Sequence, residues 1–201
     1  MLSRAIKISL ALIISFFVCT VLRPLFAVHS VEARPSHVQS LNDNEELKRL
    51  RDEDQSDRTP PAGKPMDWAV VSPRDKARLK RVKEIYTQGL LQTANDYDCA
   101  ALILQHSEVP EDFLLAHEFW VVAISKGKND PGTLYLAAAS EDRFLMNIGR
   151  LQRFGTQFRS QNNGPFELYP VDAGVTDGFR RVMIARSLAD LKAHVVELNK
   201  K

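Results

Sequence analysis

Cysteine is scarce in this chain. Its 201 residues hold two, and Cys19 falls in an apolar leader whose removal leaves Cys99 alone. One thiol excludes an intramolecular disulfide and any cysteine-based zinc motif. Cys99, followed by Ala100 and Ala101, reads as a small buried hydrophobe. Chemistry-bearing motifs are missing as well: there is no glycine-rich phosphate loop, no Gly-x-Ser-x-Gly elbow, no His-Glu-x-x-His and no nucleic-acid motif. Nor is there a charge excess. The net charge of +2 resides in residues 1–33, where Arg4, Lys7 and Arg23 face Glu32. The remaining chain is neutral, with 24 basic and 24 acidic side chains, so nothing global calls for a nucleic acid or an anionic surface.

What is present begins with a three-part export signal. Arg4 and Lys7 supply the positive start, Ile8 to Leu22 an uncharged apolar run, and Val31-Glu-Ala33 a cleavage site of short side chains. Arg23 and Pro24 close the run before the ~20 residues of a membrane span. Residues 1–33 are therefore expected to be a secretory signal and the protein periplasmic or secreted. The alternative is a tether to the membrane through this uncleaved segment. Residues 34–66, with a mixed-charge block from Asp43 to Asp54 and then Pro60, Pro61, Gly63 and Pro65, read as a disordered polar linker.

Residues 67–201 are expected to form one all-α domain of short antiparallel helix hairpins. Ser72-Pro73 looks like a helix start, with Leu79, Val82, Ile85, Tyr86 and Leu90 at helical spacing. Its other face carries Arg74, Lys76, Arg78, Lys80, Arg81 and Lys83 and reads as solvated, with contact to anionic lipid as the alternative. A second helix, capped by Asn95 or Asp96, puts Cys99, Leu102, Ile103 and His106 on one stripe. Pro110 restarts a third, in which Phe113, His117, Trp120, Val121 and Ile124 share a face before Gly127 ends it. Asp130-Pro131 opens a fourth that stops at Gly149 and brings Asp142 to its buried side, where a carboxylate must find partners. Loop follows, then a helical turn at Asp177 to Arg181 and a last helix capped by Ser187.

The polar residues gather between Asp96 and Phe158. Leu104-Gln-His106, Ala116-His117, Leu136-Ala-Ala138, Asp142-Arg143 and Gln152-x-Phe-Gly-Thr-Gln157 together resemble a bacterial family of unassigned activity. Its members share a Gln-His, an Asp-Arg and a Gln-x-Tyr/Phe-Gly-Thr-Gln signature. More loosely, the hairpin from Phe113 to Ala139 resembles tetratricopeptide or Sel1-type units, although no period repeats often enough for a solenoid. The resemblance implies a helical fold and a residue list but no mechanism, cofactor or partner.

On the residues themselves, His106, His117 and Asp142 are expected to converge from three helices, with Gln105, Arg143, Gln152, Thr156 and Gln157 nearby. Four readings follow. One is a buried polar network. Another is a pocket for a small ligand or peptide, with Arg143 or Gln157 as anchor. A third is a hydrolase with His106 or His117 as general base and Asp142 as orienter, and the last is a His/His/Asp metal site.

Overall fold

The computed structural model describes residues 41–160 and 164–200. The expected leader at 1–33 lies outside the described residues, as does the start of the expected linker. The protein is all-α, with seven helices and one small sheet among the described residues. The helices are α1 (Glu45–Asp57), α2 (Trp68–Thr87), α3 (Ala94–Leu104), α4 (Pro110–Ser125), α5 (Pro131–Asn147), α6 (Asp177–Ile184) and α7 (Leu188–Leu198). Strands β1 (Phe158–Ser160) and β2 (Phe166–Leu168) pair antiparallel, Arg159 opposite Glu167. No described helix is long and apolar enough to cross a membrane.

Three helix starts obey the sequence. Pro110 and Pro131 occupy first-turn positions, where a missing N–H costs nothing, and Ser187 forms a capping box with Asp190. Two are corrected. The cap of α3 is Thr93, whose side chain accepts from the Asp96 N–H. Helix α2 starts at Trp68 under an Asp67 cap, and Pro73 lies inside it. Proline there removes one backbone hydrogen bond. Val71 is the one buried side chain between Trp68 and Pro73.

The largest correction is the linker. Glu45–Asp57 is a helix packed on the domain, with Leu47 and Leu50 in the main core and Asp54 fully buried. These three recur at i, i+3 and i+7, a narrow stripe that the surrounding charges hide. Those charges are themselves the adhesive. Arg81 of α2 clamps Glu46 through both guanidinium arms at 2.7 and 2.9 Å, and Arg78, only 4% exposed, reaches Asp57 and Asp75. The basic face of α2 is therefore only partly solvated. At the far end Asp96 accepts from the Asn44, Gln92 and Thr93 N–H groups, tying the start of α1 to that of α3.

Helix α5 partitions two cores. Ala137 belongs to the cluster of α1 to α4, with Val82, Ile85, Ile103, Leu104 and Trp120. Ala138, the next residue, belongs to a smaller cluster with Phe154, Ile184 and Leu191. Small side chains at these two positions let α5 approach both clusters closely.

Candidate functional site

The sequence-nominated residues do not form one site. Asp142, fully buried, is consumed by the loop after α5. Its Oδ1 accepts from the Arg153 and Phe154 N–H groups at 2.6 and 3.0 Å. Its Oδ2 accepts from Gly155 N, Thr156 N and Thr156 Oγ1 at 2.9, 3.0 and 2.9 Å. Four successive N–H groups wrapped on one carboxylate make an anion nest in which the anion is the protein's own. Gly155 makes the wrap feasible: its φ is +87°, and an added Cβ would collide with Leu191.

The glutamines complete the loop. Gln152 donates to the carbonyls of Gln157 and Tyr169 and accepts from Gln157 N. Gln157 donates to Ala139 O and to Thr156 Oγ1. Arg143 donates to Gln105 O at 2.7 Å, at the end of α3, and stacks on Phe113 with 5.5 Å to the ring centroid. Burial pulls its guanidinium below the ordinary arginine range. The carbonyls at a helix C-terminus favour a cation there. These residues form a satisfied network that pins the loop.

The histidines go elsewhere. His117 Nδ1 donates to Ala137 O at 2.9 Å; a carbonyl can only accept, which places the proton on Nδ1. His106 Nε2 lies 3.3 Å from Asp54 Oδ2 on α1. The pair is misaligned for a hydrogen bond, and the nitrogen is buried without another partner. The expected convergence of His106, His117 and Asp142 is thus corrected: His106 turns to α1, His117 to α5, and Asp142 has no free lone pair to orient either. Among the described residues no three His, Cys, Asp or Glu side chains gather to hold a metal ion.

Asp54 belongs to an ionic cluster that sequence reasoning missed. Arg58 donates to Asp54 at 2.7 Å and to Asp75 at 2.8 Å, and Arg78 donates to Asp75 at 2.6 Å. Burial works against the Asp75 charge, yet the hydrogen bonds from Arg58 and Arg78 outweigh it and hold the carboxyl below its usual range. The opposed charge blocks on 43–54 and 74–83 were the available signal.

This cluster underlies one end of an open groove of about 690 Å³ between α2 and the α3–α4 turn. Leu79 and Lys80 line the α2 wall, and His106, Ser107 and Val109 the opposite one. Trp68 and Val109 are 60% and 46% exposed. Lys83 is neutralised by Asp112 at 2.7 Å, whereas no carboxylate among the described residues lies within ion-pair distance of Lys76 or Lys80. A larger hollow of about 890 Å³ runs between α1 and α2, but the arginines along it are already paired with Glu46, Glu53 and Asp57. Comparison with family models, with curated proteins and with solved structures finds no match.

Proposed function

We propose that the domain is a binding module whose ligand seats in the groove between α2 and the α3–α4 turn. The observation that carries this reading is the pair of exposed apolar side chains, Trp68 and Val109, lining one groove of about 690 Å³. That volume falls within the roughly 300–1,000 Å³ of ligand sites, and exposed apolar surface beside fixed polar groups is where binding energy is available. His106 contributes a polar group held against α1. From the Arg4/Lys7 start, the Ile8–Leu22 run and the Val31-x-Ala33 site we propose that the module works outside the cytoplasm. A mature chain with its N-terminus at Arg34 is the expected mass.

An apolar aromatic sulfonate, 8-anilinonaphthalene-1-sulfonate, tests the site. It should bind the full chain at one site, and Val109→Glu, which sets a carboxylate against the sulfonate, should weaken it at least tenfold. Val196→Glu, at a comparably exposed valine on α7, should leave it unchanged. Equal binding by all three proteins would overturn the reading.

A further inference from the structure

The charge and length of the groove narrow its occupant. Along α2 it extends from Trp68 to Thr87, roughly 28 Å at 1.5 Å per residue. That is long for a compact metabolite and suits about eight residues of extended chain. Lys76, Leu79 and Lys80 line one wall and recur at helical spacing, so they share a face. Both lysines are exposed and lack a carboxylate partner among the described residues. They are separated by about 6 Å along the helix axis. In an extended chain, side chains at i and i+2 point to the same side and lie about 6.6 Å apart. The residue between them points the other way, towards the wall carrying Val109. Of the four carboxylates lining the groove, Asp75, Glu84 and Asp112 are paired with arginine or lysine, and Glu108, exposed on the opposite wall, disfavours a second row of acids there.

From this we propose that the groove takes an extended segment of a partner protein in which two acidic residues flank one apolar residue. The acids face Lys76 and Lys80, and the apolar side chain faces Val109. This rests on the groove being the binding site, and it adds a partner class with a readable pattern.

The test uses fluorescein-labelled decapeptides of alanine and serine carrying either Glu-Val-Glu or its isomer Glu-Glu-Val, read by anisotropy with the full chain. The alternating peptide should bind at least tenfold more tightly than the isomer, whose adjacent glutamates point to opposite sides. Lys76→Glu/Lys80→Glu should abolish that preference, and the double variant should bind Lys-Val-Lys instead. Both lysines are exposed, so the variant keeps its core. Isomers that bind alike, or a preference that survives charge reversal, would overturn the inference. Should laurate displace the naphthalene sulfonate while neither peptide binds, the occupant is a small amphiphile: the peptide inference fails and the groove stands. Should Val109→Glu leave the sulfonate bound as tightly as before, the groove reading itself fails.

Discussion

The Asp142 carboxylate on α5 and the Gly155 N–H are 2.9 Å apart, and this bond closes a loop that only glycine can turn. Gly155 has a positive φ, and its α-carbon abuts Leu191 on α7. One contact therefore fixes the loop to the helix behind it and leaves room for the helix in front. Gly155, Thr156 and Gln157 are thus each held by hydrogen bonds within the fold.

Removing that carboxylate should be costly. In Asp142→Ala, four buried N–H groups and the Thr156 hydroxyl lose their acceptor, and each unsatisfied buried donor costs about 1–3 kcal/mol. A loss of at least about 3 kcal/mol is expected from urea unfolding. A midpoint shift no larger than that of the exposed Glu118→Ala would contradict the assignment.

Gly155→Ala should also destabilise, through a different route. The left-handed conformation disfavours any side chain, and the new methyl has Leu191 in its path. Together these predict a loss of about 2–4 kcal/mol. Leu191→Ala in the same chain should relieve the collision but not the conformational strain, so the two changes should be non-additive in a double-mutant cycle.

Acid should unfold the domain through the α1–α2 interface. Asp57 and Asp75 are each opposed by burial, but hydrogen bonds from Arg78 with Arg74, and from Arg58 with Arg78, depress both carboxyls. Unfolded, they titrate near pH 4. A depressed folded value means their contribution is complete above that pH and is lost as pH falls through the folded values. Asp98 acts in the opposite sense, since burial raises it despite Lys128. The urea midpoint should therefore drop below about pH 4, and Asp57→Asn should make that limb shallower. An unchanged limb would contradict the pairing.

Cys99 should be chemically silent in the folded protein. Burial pushes its thiol up to about 11, and the thiolate is the reactive form. In a Cys19→Ser chain, where Cys99 is the one thiol, Ellman's reagent at pH 8 should react only at the rate of domain opening, and at once in urea. Rapid reaction of the folded chain would show that the α3 core is open.

Helix starts were legible where one side chain decides them, as at Pro110, Asp130 and Ser187. Helix α1 was not, because its apolar stripe has only Leu47 and Leu50 and the arginines that pair with its acids, Arg78 and Arg81, lie some 20 to 35 positions away. The network around Asp142 was readable as a set of polar residues on a buried side. Its purpose was hidden, since nothing in the sequence shows that backbone N–H groups would claim the carboxylate. The inward stripe made His106 a residue to watch. Its partner Asp54 lay in a segment whose composition suggested no fold, so the pairing could not be drawn.

The groove is the central claim, and amide chemical-shift mapping tests it most directly. The ¹⁵N-labelled chain would be titrated with the Glu-Val-Glu decapeptide. Perturbations should concentrate at Trp68, Ser72, Lys76, Leu79, Lys80 and His106 to Val109, with the Trp68 indole N–H among the largest. Shifts centred on Arg143, Gln152 and Gln157, with Trp68 and Val109 unmoved, would contradict it.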